Sequence, residues 1–219
     1  LHGRSRRQRQ MCIRDRYEMI KDLGTGSSGS VTLVRHISMD QERALKKVPK
    51  ASAFAESALS EARLLKSLEH PSIPRIFDFE EDDAFYYIVE EYIDGETLDS
   101  FLLHQQLISP GLFFNICEQL CNVFIYLHTQ ISTPIIYRDL KPEHIIVCHN
   151  KLKLIDFGVS AYVIQDGNNF NHYGNIEFSA PECFTEDTIT PAADIYSLGQ
   201  LLQYILTFTP DSFSHKFQH

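Results

Sequence analysis

Residues 17–23 and 31–35 are two short strand-like runs of mixed apolar and polar residues that flank a glycine-rich stretch and predict a β-hairpin. A third run at 43–48 has the same strand character. Over 55–68 the spacing changes to three and four residues, placing Ala58, Ala62 and Leu65 on one side with Leu59 and Leu68 nearby, so a helix is predicted. Strand patterning returns at 76–79 and 85–89 around the acidic turn 80–83. The first third of the chain therefore predicts five strands with one helix inserted.

Beyond Gly95 helical spacing takes over. Ser109 followed by Pro110 is an N-cap and first-turn pair. Leu112, Phe113, Ile116, Leu120, Val123 and Phe124 then recur at helical steps up to Leu127, predicting a long buried helix. Thr190 and Pro191 repeat the start signal before Ile195, Leu198, Leu202 and Ile205. The joint between a strand-rich and a helical part is expected at Asp94–Gly95, dividing 17–94 from 95–219.

Composition narrows the class. With 43% hydrophobic and 22% charged residues, the 219-residue chain has a globular balance. No run of about 18 uncharged apolar residues predicts a membrane span. Residues 1–16 hold six arginines against Asp15, net +5, so the −9 of the whole chain leaves −14 for the rest. That acidic body argues against nucleic acid as a partner. The basic head lacks a signal-peptide core and reads as a translated sequencing-adapter scar or a disordered, non-native segment, the alternative being a basic arm or transit peptide. Five cysteines without a CxxC pair and without a secretory signal fit a reducing, cytoplasmic setting. Cys117 and Cys121, four residues apart on an apolar helix, read as small buried thiols.

Candidate chemistry begins with Gly24, Gly26 and Gly29, followed by Val31. Glycines at these steps let a hairpin backbone lie close over a polyphosphate with its N–H groups facing the oxygens. A dinucleotide-binding fold also uses GxGxxG, but there the motif opens a helix, whereas residues 31–34 are strand-like. A purely structural turn remains the other reading. Lys46, after Ala44 and Leu45 on the third strand, can project into a cleft and hold phosphate oxygens as a point charge. Lys47 points to the opposite face. Glu61 on the helix is the candidate ion-pair partner of Lys46, against the commoner role of a solvated surface charge.

Tyr137-Arg138-Asp139-Leu140-Lys141-Pro142-Glu143-His144 follows, and Asp156-Phe157-Gly158 stands seventeen residues beyond Asp139. With Ala180-Pro181-Glu182, and with Asp194, Ser197 and Gly199, these motifs occur in the order and spacing of one family. From about Tyr17 to Leu206 the sequence resembles a eukaryotic-type protein kinase domain. The resemblance implies an α+β, bilobal fold: a small antiparallel five-stranded lobe with one helix, then a mainly helical lobe. It also implies ATP as cofactor with Mg2+, a protein substrate phosphorylated on Ser or Thr, and transferase activity. Asp139 would orient the substrate hydroxyl, Lys141 would sit near the γ-phosphate, Lys46 would hold the α- and β-phosphates, and Asp156 would bind magnesium. Glu91, Tyr92 and Ile93 would form the hinge facing adenine, with Glu90 at the gatekeeper position. Ile76, Leu65, Tyr137 and Phe157 look like a stacked hydrophobic spine. Lys141 two residues after Asp139 resembles serine/threonine kinases.

The sequence departs from the pattern at several places. His144 occupies the position of an Asn that binds a second magnesium. Imidazole suits manganese better, so a Mn2+ preference, activity on the Asp156 metal alone, or a histidine that only hydrogen-bonds Asp139 all stay open. Residues 161–178 contain no Ser or Thr, only Tyr162 and Tyr173, and Asn175 replaces the family's Thr, so switching by Ser/Thr phosphorylation there is not expected. The family continues past the helix near 192–206, so the chain is expected to be a C-terminally truncated fragment, with Glu182 unpaired and the apolar side of 192–206 partly exposed. A pseudokinase serving as nucleotide-binding scaffold is the alternative function, and a small-molecule phosphotransferase a third. The chain itself carries no membrane segment; tethering of a longer parent stays open.

Overall fold

The computed structural model describes residues 13, 15–26, 29–162, 176–185 and 189–214. The chain is α+β and divides into two compact units. One comprises residues up to Glu69 with 74–93; the other comprises 70–73 with 94 onward.

In the first unit, β1 (Tyr17–Gly26), β2 (Gly29–His36), β3 (Gln41–Pro49), β4 (Ile76–Glu81) and β5 (Phe85–Glu91) form one sheet. Its strand order is β1-β2-β3-β5-β4, and every pair is antiparallel. The helix α1 (Ala55–Lys66) falls between β3 and β4. The acidic turn before β5 is tied by Asp82, whose Oδ1 accepts from the N–H groups of Ala84 at 2.8 Å and Phe85 at 2.7 Å.

Strand alternation sorts the side chains into two clusters. On one face Val48 and Ile88 pack with Ala58 and Ala62 of α1. On the other, Val34, Leu45 and Val89 pack with Tyr17 and Ile13. Packing thus begins at Ile13, within the stretch expected to be a head. Arg16 reaches back to Asp78 at 2.6 Å and also pairs with Glu80. Burial raises the Tyr17 phenol pKa, and the Asp78 carboxylate adds to the rise.

The second unit is built around α3 (Pro110–Ile125), preceded by α2 (Leu98–Gln105) and continued by a π-helical turn, Tyr126–Gln130. Ser109 caps α3 as its sequence predicts: its Oγ accepts from Leu112 N–H at 3.2 Å, with Pro110 in the first turn. Phe113, Ile116, Leu120, Val123, Phe124 and Leu127 are all buried. Small sheets flank the helix. One has the order β6-β8-β9, from β6 (Glu96–Thr97), β8 (Ile145–Cys148) and β9 (Lys151–Leu154); the other pairs β7 (Ile135–Ile136) with β10 (Ala161–Tyr162). The helices α4 (Glu182–Thr185), α5 (Ala192–Leu206) and α6 (Asp211–Ser214) follow. Thr190 Oγ1 accepts from Ala192 N–H at 3.3 Å at the start of α5.

Two expectations need correction. Cys121 is exposed rather than buried, because it falls on the outer side of α3. Cys117 is half-buried, and burial pushes its thiol up to about 11. The second correction concerns His70–Ile73, which belongs to the helical unit although it precedes β4. Ser72 O accepts from Leu154 N–H at 2.8 Å, and His70 lies against Tyr126 with ring centroids 5.1 Å apart. On α5, Leu198, Leu201 and Ile205 are buried whereas Ile195 and Tyr196 are exposed. No ion pair of Glu182 is seen among the described residues. Tyr173 and Asn175 lie outside them. No helix among the described residues is long and apolar enough to cross a membrane.

Candidate active site

Register dictates what the first unit presents. Val31 pairs across with Lys46, Leu33 with Ala44, Lys46 with Ile88, and Ala44 with Glu90. All these side chains therefore share the face on which α1 lies. The small residues Ala58 and Ala62 let α1 approach closely, and the buried Glu61 comes with it. Lys46 Nζ donates to Glu61 Oε2 at 2.6 Å. The carboxylate fixes the position of the ammonium, and the Lys46 side chain stays 18% exposed. Lys47 turns the other way, its ammonium 4.0 Å from the Phe85 ring centroid.

The glycine hairpin has its own internal reasons. Gly24 has φ +157° and donates its N–H to Asp22 Oδ1 at 3.1 Å. Gly29 has φ +146°, and a Cβ there would stand 2.2 Å from the Lys47 carbonyl oxygen. Its glycine is thus required by the neighbouring strand before any ligand is considered. Gly26 pairs with Gly29 across the turn. At the other end of the sheet Glu91 N–H donates to Arg75 O at 2.9 Å, and its carboxylate accepts from Arg75 N–H at 3.3 Å. Ile93 closes this unit.

The second unit gathers Asp139, Lys141, His144 and Asp156. Lys141 Nζ donates to Asp139 Oδ2 at 2.9 Å. His144 stands between the two aspartates: Nδ1 is 3.0 Å from the main-chain oxygen of Asp139, and Nε2 is 3.4 Å from Asp156 Oδ2. The hydrogen bond to Asp139 expected as one alternative for His144 is present, though to its backbone. Arg138 and Asp156 have positive φ, 75° and 62°, rare for residues with side chains and maintained only where surroundings over-determine the backbone.

Those surroundings centre on Asp194. This carboxylate, fully buried, accepts from the N–H groups of Tyr137 and Arg138, both at 2.8 Å, and lies 2.8 Å from His128 Nε2. Tyr137 adds a bond from its hydroxyl to Ile155 O and packs edge-on against Phe157 with centroids 5.1 Å apart. Ser160 Oγ donates to Tyr137 O at 3.2 Å. The loop bearing Asp139 and the turn bearing Asp156 are thereby fastened together through Tyr137. The sequence marks Asp194 only as part of a motif and does not mark His128, for which a histidine just beyond the end of an apolar helix is the available signal.

The donors suit a nucleotide and a divalent cation. Asp156 offers a half-exposed carboxylate oxygen and His144 an imidazole nitrogen, a mixed set that divalent metals accept. Each unit also offers an ammonium oriented by a carboxylate, Lys46 with Glu61 in the first and Lys141 with Asp139 in the second, a form of lysine suited to phosphate oxygens.

A model of the protein kinase domain matches residues 17–218. Serine/threonine-protein kinase PrkC of Bacillus subtilis is 32% identical over 204 residues, which cover 89% of this chain and 31% of the relative. Serine/threonine-protein kinase ppk25 of Schizosaccharomyces pombe is 33% identical over 188 residues, 83% of this chain and 44% of the relative. Serine/threonine-protein kinase PknB of Mycobacterium tuberculosis is 29% identical over 225 residues, 94% of this chain and 36% of the relative. The two units have the α+β architecture of a kinase domain. The chain belongs to the protein kinase family. It spans between 31% and 44% of the length of these relatives.

Proposed function

We propose that this chain is the catalytic domain of an ATP-dependent serine/threonine protein kinase. The observation that carries the proposal is the fastened group of Asp139, Lys141 and Asp156, accompanied by the Lys46–Glu61 pair. Phosphoryl transfer demands positioning and charge neutralisation more than covalent help. Asp139 accepts the proton of a Ser or Thr hydroxyl as that oxygen bonds the γ-phosphorus and the bond to the β-phosphate oxygen breaks, releasing ADP. Lys141, bonded to Asp139, lies where it can meet the transferred phosphoryl group. Lys46 holds the α- and β-phosphates, while Ala44 and Val31 offer apolar surface to the base, with Glu91 and Ile93 supplying backbone groups. Asp156 would hold a magnesium ion, which would supply charge neutralisation of the phosphates. Similarity to three relatives named serine/threonine-protein kinases supports the choice of hydroxyl.

The use of ATP supports a cytoplasmic setting, and the acidic body supports a protein substrate over nucleic acid. The test is incubation with radiolabelled ATP and a Ser/Thr-rich protein, followed by phosphoamino-acid analysis, with Asp139→Asn as control. Phosphoserine or phosphothreonine absent from the control supports the proposal. Nucleotide binding without transfer above the control would convert it to the scaffold reading.

A further inference from the structure

The sheet of the first unit has a second face, turned away from α1, and a cavity of about 290 Å³ opens on it. Ser30 pairs across with Lys47, Thr32 with Leu45, and Lys47 with Tyr87. Alternation therefore brings these five side chains to one face, and all of them line the cavity together with Met19. Glu80, Glu81 and Asp82 complete one wall.

The polar groups of the cavity differ in how they are used. Each carboxylate is already engaged: Glu80 with Arg16, Glu81 with Lys50 Nζ at 2.6 Å, and Asp82 with the Tyr87 hydroxyl at 2.8 Å. Lys47 makes no ion pair among the described residues, and its ammonium rests 4.0 Å from the Phe85 ring centroid. The Ser30 and Thr32 hydroxyls make no hydrogen bond among the described residues. One positive charge and two hydroxyls thus converge beside the apolar surface of Leu45 and Met19. Such a set complements a single anionic head on an apolar body. The carboxylate wall sets the charge of that head, because it repels a dianion more strongly than a monoanion. At about 30 Å³ per water-sized group, the volume admits about ten non-hydrogen atoms.

We propose that this cavity binds a small organic monocarboxylate, its head on Lys47, Ser30 and Thr32 and its apolar body on Leu45 and Met19. Lys46 faces the other side of the sheet, so the proposal stands independently of the kinase reading.

Octanoate, of about the size the cavity admits, is the probe, titrated into the chain carrying isotope-labelled methionine methyl groups. The Met19 methyl resonance should shift and saturate, whereas that of Met39, exposed in the turn after β2, should stay in place. Lys47→Gln should weaken octanoate about 10-fold or more, and Thr32→Val, which keeps the side-chain shape, about 3-fold. Octyl phosphate should bind more weakly than octanoate, and octylamine should leave Met19 unmoved. A Met19 methyl that does not respond to about 10 mM octanoate would overturn the proposal. Undiminished binding by Lys47→Gln and Thr32→Val, or an equal response to octylamine, would do the same. Tighter binding of octyl phosphate would overturn the choice of a carboxylate.

Discussion

The two units hold their polar groups by opposite means. In the first, Lys46 is placed by the register of a regular sheet, and one ion pair to α1 completes the arrangement. In the second, Asp139 and Asp156 sit on irregular backbone that a fully buried carboxylate and an aromatic contact hold in place. A strand fixes side-chain direction through its repeat; a loop must be fixed by anchors distant in sequence. Damage to the anchors of the second unit is therefore expected to spread, whereas damage in the first should stay local.

The largest expected effect separates chemistry from support. Asp139→Asn should lower transfer to a Ser/Thr substrate by about 10²- to 10⁴-fold with an unchanged melting temperature. Loss of stability in that variant would mean that Asp139 is itself an anchor. Asp194→Ala should cost about 3 kcal/mol or more in urea unfolding, because two buried N–H groups and His128 lose their acceptor together. A stability near that of the parent would show that the loop is held by other contacts.

In the first unit Gly29→Ala should cost about 1–3 kcal/mol, since its Cβ meets the Lys47 carbonyl at a φ that side chains avoid. Its effect on transfer should follow from the displaced β3 and appear mainly in the KM for ATP. A change in kcat alone would contradict local damage.

The smallest effect concerns pH. Burial lowers the His70 pKa, and the nearby Lys153 ammonium lowers it further. Its Nδ1 accepts from Ser72 N–H at 3.1 Å, which also requires the neutral ring. A histidine lowered on folding contributes stability above its unfolded pKa of about 6.5, and loses it as pH falls towards the folded value. Stability measured from pH 7 down to pH 5 should decline less steeply in His70→Asn than in the parent. Equal slopes would remove His70 from the account.

Periodic features could be read from sequence, because a period of two or of 3.6 residues is itself the geometry. The five strands, α1, the Ser109 cap and the opposed directions of Lys46 and Lys47 follow from local residue patterns, turns and capping. The motif spacing marks Asp139, Lys141, His144 and Asp156 as one group. What stayed hidden depends on partners far along the chain. The link from His128 to Asp194 spans 66 residues and leaves no local pattern. The packing of Ile13 and Arg16 on the sheet was masked by the arginines around them, whose composition resembles an unstructured tail. The glycine motif marks Gly29 as room for a phosphate, whereas its nearest constraint is the Lys47 carbonyl of the neighbouring strand.

The brief passage His70–Ile73 has consequences for how the molecule is assembled. Ile73 is buried, and its carbonyl accepts from Lys153 Nζ at 3.4 Å across 80 residues. These four residues leave the ribosome before β4 and β5, yet the partners they need arrive long afterwards. The first unit can close its sheet around this gap, while the helical unit must recapture an early segment by a long loop closure, a step that slows folding. Cutting the chain at residue 94 would not yield a self-sufficient helical half, since part of its core would remain on the other piece.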